Sequence, residues 1–162
     1  MKRIYLIRHA KSDWNDFKLS DHDRPLDERG LADAPVMAKK LVSLVPTPDL
    51  LIASSAKRTI QTAELFAKKY DFPQSEITTY KSLYHSGPDE MIEVLEAQDD
   101  SIGTIAMFVH NPGITFFASL VGDLHIQDVS TCGILIMNSD VNRWTDLTIS
   151  NIKIEQYIYP KM

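Results

Sequence analysis

The feature that most constrains the fold is a set of three short apolar runs without polar alternation. They span residues 3–7, 49–53 and 104–109. A strand with one solvated face alternates apolar and polar side chains, whereas a strand inside a parallel sheet is apolar on both faces. The three runs therefore predict buried strands of a parallel sheet, joined by right-handed crossovers.

The segments between these runs show helical spacing. Two apolar stripes have this spacing. The second lies within residues 60–70, and the first consists of Leu31, Ala34, Ala38, Leu41, Val42 and Val45. Pro35 interrupts the first stripe, so it either kinks that helix or places the start of the helix near Asp33. The spacing leaves both alternatives open.

Two further helices are predicted over residues 88–96 and 112–121, because each begins at a proline and the second ends before Gly122. Antiparallel or edge strands are predicted for three late segments, residues 134–137, 145–149 and 152–159. This alternation predicts an α/β fold, a three-layer helix–sheet–helix sandwich with a mostly parallel central sheet. No repeat or linker divides the chain, so residues 1–162 are predicted to form one domain.

The charge and cysteine content exclude several classes of protein. The net charge is −5, and a protein that binds nucleic acid or an anionic membrane is normally basic, so neither partner is expected. The single cysteine, Cys132, excludes a disulfide framework and a cysteine-rich zinc site. The first apolar run ends at Arg8 and is too short for a membrane span or a signal-peptide core. We therefore expect a protein of a reducing compartment, the cytoplasm.

Two of the predicted buried strands run directly into a histidine. His9 follows the first strand after Arg8, and His110 follows the third. In open α/β sheets, ligands bind just outside the carboxyl ends of the strands. A single histidine in such a place is more often structural than catalytic, but here several polar groups converge on one edge of one sheet. The pattern therefore predicts a functional site at that edge.

The second predicted strand leads into a helix in the same region. Ser54 and Ser55 are suited to cap this helix, and Arg58 lies in its first turn. A helix N-terminus favours an anion, and Arg58 beside Arg8 would bring two guanidinium groups to one point. In an acidic protein, this local positive charge predicts an anion-binding site.

Other candidate groups point to structural roles or to solvent. His22 and His125 lie in polar connections and are expected to be solvated, and no pair of histidines has the HExxH spacing of a zinc protease. Asn138, six residues after Cys132, stands where a cysteine phosphatase loop requires arginine. No metal site is predicted.

The stretch over residues 11–26 shows neither a helical nor a strand period. Structureless segments of this length are uncommon and are usually disordered or functional. Because this one follows His9 directly, we expect it to form a rim over the site.

Four motifs resemble those of the histidine phosphatase superfamily, which is also called the phosphoglycerate mutase-like family. They occur in order along nearly the whole chain. Within the superfamily, the chain is similar to the small phosphohistidine phosphatases of the SixA type. The motifs are Arg8-His9-Ala10-Lys11-Ser12, the Arg24–Gly30 segment that begins Arg-Pro-Leu, the Ser54–Ala63 segment with Arg58, and Val109-His110-Asn111-Pro112-Gly113. The chain departs from the family pattern at Ala10 and Val109, where glycine is usual, and at Asp27, where threonine is usual. None of these changes removes a chemical group that reacts.

The resemblance implies the roles of the site residues. It makes His9 the nucleophile, which becomes a phosphohistidine that water hydrolyses, with Arg8, Arg58 and His110 as catalytic and phosphate-binding partners. A protonated His110 would add a third positive group. Asn15 matches a position that contacts phosphate and receives a weaker binding role. No cofactor is implied.

The general acid of larger relatives has no counterpart at the expected place. Asp89 and Glu90 are the nearest candidates, but both also suit the first turn of a helix. An alkoxide leaving group needs a proton, whereas phosphohistidine can take one from solvent on its distal ring nitrogen. The absence of a general acid at the expected place therefore favours a phosphohistidine substrate on a protein such as a phosphotransfer domain.

Two other functions remain open at this point. One is a phosphatase of the same mechanism that acts on small phosphate esters, and the other is a catalytically silent module that binds phosphoproteins. A mutase is disfavoured by the missing acid, and a nucleotide-binding domain by the lack of a GxGxxG or Walker sequence. The oligomeric state is not predicted.

Overall fold

The computed structural model describes residues 1–161. Six strands form one central sheet: β1 (Lys2–Arg8), β2 (Leu50–Ser54), β3 (Thr78–Tyr80), β4 (Thr104–Val109), β5 (Ile134–Ser139) and β6 (Ile152–Ile158). Four α-helices connect them: α1 (Glu28–Leu44), α2 (Lys57–Lys69), α3 (Pro88–Glu96) and α4 (Gly113–Val121). The three buried strands and all four helices lie where the sequence predicts them, to within a few residues at their ends.

The strand order in the sheet is β3-β2-β4-β1-β5-β6. The pairs among β3, β2, β4 and β1 are parallel, and the pairs of β5 with β1 and with β6 are antiparallel. The prediction of a mostly parallel sheet is therefore confirmed. Arg8 pairs in register with Val109, so the residues that follow, His9 and His110, leave the sheet side by side.

The two faces of the sheet carry separate hydrophobic cores. Alternate residues of β1 point to opposite faces: Ile4 and Leu6 pack with α3 and α4, and Tyr5 and Ile7 pack with α1 and α2. All four of these side chains are fully buried, which explains why the run lacks polar residues. The arrangement confirms the three-layer sandwich. Across residues 1–161, none of the helices combines the length and apolarity needed to cross a bilayer.

Helix α1 resolves the alternatives left by Pro35. The helix begins at Glu28, because the Asp27 carboxylate caps it by accepting the Gly30 N–H at 2.8 Å, and Pro35 lies inside it. A start near Asp33 is therefore wrong. Leu31, included in the apolar stripe, is 49% exposed, so the buried stripe begins at Ala34.

The predicted strand over residues 145–149 is also wrong. This region forms two single 3₁₀ turns, Trp144–Asp146 and Ile149–Asn151. Trp144 fixes the first turn, because its indole N–H donates to the Ile102 carbonyl and its backbone N–H donates to the Asp100 carboxylate. The short edge strand β3 has no predicted counterpart.

Candidate active site

His9 is held rigidly where β1 ends. Its backbone N–H donates to the Val109 carbonyl at 3.1 Å, and its own carbonyl accepts the Cys132 N–H at 3.0 Å. The preceding Arg8 N–H donates to the Gly133 carbonyl at 3.0 Å. Backbone hydrogen bonds to two other segments therefore hold His9 in place. The residue is only 6% exposed.

The His9 ring is oriented by its own chain. Its Nδ1 lies 2.7 Å from the Ala10 carbonyl oxygen, which can only accept, so Nδ1 carries the proton and the Nε2 lone pair is available. The Arg58 Nε–H points to that lone pair at 3.3 Å. Ala10 is thus the orienting acceptor, which the sequence does not reveal.

His9 is also kept neutral. Burial lowers its pKa to about 3; the Ala10 hydrogen bond opposes this effect, and the positive charges of Arg58 and Arg8 reinforce it. A neutral imidazole with an available Nε2 is a nucleophile at cellular pH.

His110 faces His9, with 5.2 Å between the ring centroids. Its Nε2 lies 2.8 Å from the Ser54 hydroxyl, and among residues 1–161 no other acceptor bonds that hydroxyl. The Ser54 O–H therefore donates to Nε2, and the ring proton lies on Nδ1. Burial, aided by His9 and Arg58, lowers the pKa of His110 to about 2. In the free protein, His110 is consequently neutral, and a positive charge on His110 beside a bound phosphate stays a prediction.

Arg58, in the first turn of α2, links His9 to the 11–26 loop. Its Nη1 donates to the Asp21 carbonyl at 2.7 Å and its Nη2 to the Asp21 carboxylate at 3.1 Å, in addition to the contact with His9. The Asp21 carboxylate also accepts from Arg24 at 2.7 Å and from the Tyr84 hydroxyl at 2.5 Å. Sequence reasoning missed Asp21 and Tyr84; the only signal was that the loop follows His9.

Arg8 completes the positive side of the site. Its Nη1 donates to the Val129 carbonyl at 2.8 Å. Two buried nitrogens near His9, Arg8 Nε and His110 Nδ1, have no hydrogen-bond partner among residues 1–161. Buried polar atoms are normally paired, so two unpaired nitrogens beside a nucleophile suit an anionic ligand.

Asn15, the remaining proposed phosphate contact, lies apart from the two histidines and the two arginines. Asn15 is exposed and lines an open surface cleft with Asp13 and Arg29, and its backbone N–H donates to the Asp13 carboxylate at 2.7 Å. No hydrogen bond within residues 1–161 joins Asn15 to His9 or Arg58. Its role in phosphate binding stays a prediction.

Neither acid candidate lies with the histidines. The Glu90 carboxylate accepts the Gly87 N–H at 3.2 Å and caps α3. Asp89 is exposed and lines a cleft with Ile92 and Leu147. Both residues have the helix-terminal role that the sequence also allows.

Two other expectations near the site are wrong. His22 is not simply solvated, because its Nε2 lies 2.9 Å from the Ser55 hydroxyl and its ring packs edge-on against Tyr84 at 4.8 Å. Ser54 and Ser55 do not cap α2. Ala56 holds that position, and the Ser54 hydroxyl bonds His110 instead. His125 is exposed, as expected.

The 11–26 loop is ordered by buried Arg24, which is 6% exposed. Arg24 donates to the Ser12 hydroxyl and to the Asp13 carbonyl, and its guanidinium lies against the Trp14 ring. The loop thus reaches the site through Asp21. Within residues 1–161, no group of three or more metal-ligating side chains is placed to hold a metal ion.

The buried neutral histidines predict that stability falls as the pH is lowered from 7 to 5. Their pKa values lie far below the 6.5 of an ordinary histidine. Below pH 6.5 the unfolded chain therefore binds more protons than the folded one, so the free energy of unfolding decreases. We expect urea denaturation to show a loss of about 4 kcal/mol for the wild type over this range.

A variant that removes one of the two groups tests this linkage. His110→Gln should lose about half as much stability between pH 7 and 5, and His125→Gln, at an exposed position, should behave like the wild type. An equal loss in all three proteins would contradict the assignment.

Comparison with known proteins identifies the family. A sequence model described as histidine phosphatase superfamily (branch 1) matches residues 4–84, half of the chain. An uncharacterised chloroplastic protein of Arabidopsis thaliana is 31% identical over 153 residues, which cover 90% of this chain and 70% of that protein. An uncharacterised protein of Mycobacterium tuberculosis is 30% identical over 124 residues, which cover 76% of this chain and 75% of the relative. The chain belongs to the histidine phosphatase superfamily.

Two solved structures are similar over nearly their whole length. A candidate phosphohistidine phosphatase SixA from Agrobacterium tumefaciens has a TM-score of 0.81 at 23% identity and covers 98% of both chains. A protein histidine phosphatase SixA complexed with tungstate has a TM-score of 0.80 at 20% identity, covering 98% of this chain and 97% of the other. These likenesses establish the shared phosphoglycerate mutase-like fold.

Proposed function

We propose that this protein is a phosphatase that uses His9 as its nucleophile. The observation that carries the proposal is the neutral His9 ring, with Nδ1–H bound to Ala10 and Nε2 directed to Arg58. The Nε2 lone pair attacks phosphorus, and the bond to the leaving group breaks with its electron pair. Water then attacks the phosphohistidine, which releases inorganic phosphate, a proton to solvent and neutral His9.

The remaining polar groups stabilise the transferring phosphoryl group. Charge in phosphoryl transfer is spread over three equatorial oxygens, so catalysis depends mainly on positioning and electrostatics. Arg58 supplies a planar fork of donors beside Nε2, and the unpaired Arg8 Nε and His110 Nδ1 supply two further buried donors. Asn15 is assigned a weaker contact.

The chemistry of the leaving group favours a phosphohistidine substrate. Glu90 is committed to a helix cap, and Asp89 faces another cleft. Partial burial raises the pKa of the Asp21 carboxyl, but hydrogen bonds from Tyr84 and Arg24 and the charge of Arg58 outweigh this and hold it well below its usual range. Asp21 is therefore ionised and cannot donate a proton. A site without a neutral carboxylic acid suits a leaving imidazole, which solvent can protonate, better than an alkoxide.

The surroundings of the site support a protein as the carrier of this phosphohistidine, such as a phosphotransfer domain. The 11–26 loop exposes two aromatic side chains, Trp14 at 69% and Phe17 at 97%. Exposed aromatic residues are typical of protein interfaces. A cytoplasmic location is part of the proposal, because the buried free thiol of Cys132 is compatible with a reducing compartment.

A pair of matched substrates tests the proposal. One peptide is phosphorylated on histidine, and a second peptide of otherwise identical sequence carries phosphoserine at the same position. We expect kcat/KM to be at least about 100-fold higher for phosphohistidine, since only its leaving group needs no acid from the protein. A preference for the phosphoserine peptide would instead favour a phosphatase of alkyl esters, and binding without turnover of either peptide would favour a silent module.

A further inference from the structure

We infer that Asp21 is a positioning residue that holds the end of the Arg58 guanidinium so that its side edge faces a phosphoryl group on His9. The inference rests on the proposed phosphatase function and assigns a role to a loop residue outside the family motifs described above. It follows from how the five N–H groups of Arg58 are distributed among their partners.

The contacts of Arg58 divide its donors into two sets. Asp21 takes one N–H from Nη1 through its carbonyl, at 2.7 Å, and one from Nη2 through its carboxylate, at 3.1 Å. The Nε–H points to His9 Nε2 at 3.3 Å. A guanidinium is planar, so the second N–H of Nη2 runs parallel to Nε–H along the same edge. Asp21 therefore occupies the end of the guanidinium and leaves its Nε–Nη2 edge turned towards His9. When a phosphoryl group is bonded to His9 Nε2, the Nε–H loses that acceptor, and this edge can donate to two phosphoryl oxygens.

Asp21 is itself fixed by two other side chains. Arg24 Nη1 donates to one carboxylate oxygen at 2.7 Å, and the Tyr84 hydroxyl donates to the other at 2.5 Å. Arg24 is buried and bonded to Ser12. Asp21 therefore has two anchors that do not depend on Arg58, as a residue that positions Arg58 requires.

A different role for the same contact makes the opposite prediction. If the Asp21 carboxylate competed with phosphate for Arg58, its removal would free the guanidinium and tighten the binding of an anion. If Asp21 positions Arg58, its removal lets the long arginine side chain leave the reactive geometry, and anion binding weakens. The sign of the change therefore separates positioning from competition.

The test compares Asp21→Asn with Asp23→Asn in the full-length protein. Asp23 lies in the same 3₁₀ turn, but within residues 1–161 its carboxylate accepts from Ser20 alone and approaches His22. Tungstate binding is measured by calorimetry, and kcat and KM are measured with the phosphohistidine peptide. We expect Asp21→Asn to weaken tungstate binding about 10-fold and to lower kcat about 30-fold with a smaller change in KM. Asp23→Asn should stay within about 2-fold of the wild type.

A double-mutant cycle shows whether Asp21 acts through Arg58. In an Arg58→Ala background, Asp21→Asn should change kcat/KM by less than about 2-fold, because the group it positions is gone. Tighter tungstate binding by Asp21→Asn, or its full effect in that background, would overturn the inference. Tyr84→Phe, which removes one anchor of Asp21, should lower kcat about 3-fold and replaces Asp21→Asn if that variant does not fold.

Measurements on the wild type separate a failure of the proposed phosphatase function from a failure of the role of Asp21. If it binds no tungstate and turns over neither peptide, the proposed phosphatase function fails. If it does both and Asp21→Asn behaves like Asp23→Asn, only the role of Asp21 fails.

Discussion

Replacing His9 with alanine is expected to lower phosphatase activity by at least about 10³-fold and to abolish the covalent phosphoenzyme. The wild type, mixed with ³²P-labelled phosphohistidine substrate and quenched rapidly, should carry acid-labile label, because the phosphoryl group passes through His9 Nε2. The effect should be large, since His110, the other buried imidazole, bonds Ser54 through its own Nε2.

An exposed histidine provides the control for this experiment. His125→Ala should keep both the label and the activity, because His125 lies in a solvated connection beyond α4. Label that persists on His9→Ala at the wild-type level would show that another residue is the nucleophile. Thermal unfolding of both variants shows whether a loss of activity reflects a loss of fold.

Arg58→Lys is expected to lower kcat/KM by about 10²- to 10³-fold, although the charge is retained. Arg58 makes three contacts at once, one to His9 and two to Asp21. An ammonium group is a point charge without a planar set of donors, so it cannot hold Asp21 and also present two parallel N–H groups to the phosphoryl oxygens. The measurement is steady-state kinetics with the phosphohistidine peptide.

Arg143→Lys is the matched control for this substitution. Arg143 is exposed, and its one ion pair in the described part of the chain is with nearby Asp146, so kcat/KM should stay within about 2-fold of the wild type. Activity of Arg58→Lys within about 3-fold of the wild type would mean that positive charge alone is sufficient, contrary to the role of the fork.

The parallel part of the fold could be predicted because its signals are local and strong. A strand buried on both faces is apolar where it is buried, as β1 is over residues 4–7, and prolines and Gly122 mark the ends of the later helices. His9 and His110 could be predicted to meet because parallel strands end at one edge of a sheet.

The rest depends on contacts between distant parts of the chain, which leave no local pattern. Asp21 is one acid among several in a polar loop, and its contacts with Arg58 and Tyr84, which come from other segments, leave no mark on the local sequence. Similarly, the local sequence predicts that Ser54 caps a helix, but in the structure its hydroxyl forms a hydrogen bond with His110. Trp144 starts a turn where apolar residues suggest a strand, because Ile102 and Asp100 accept its two N–H groups.

The central place of β1 in the sheet has a consequence for biosynthesis. The backbone partners of His9, Val109 and Cys132, are made about 100 to 120 residues after His9 itself. At 5–20 residues per second, this delay is on the order of ten seconds. A nascent chain that has not yet reached Cys132 would therefore carry His9 without the hydrogen bonds that hold it in place, and we expect such a chain to show no phosphatase activity.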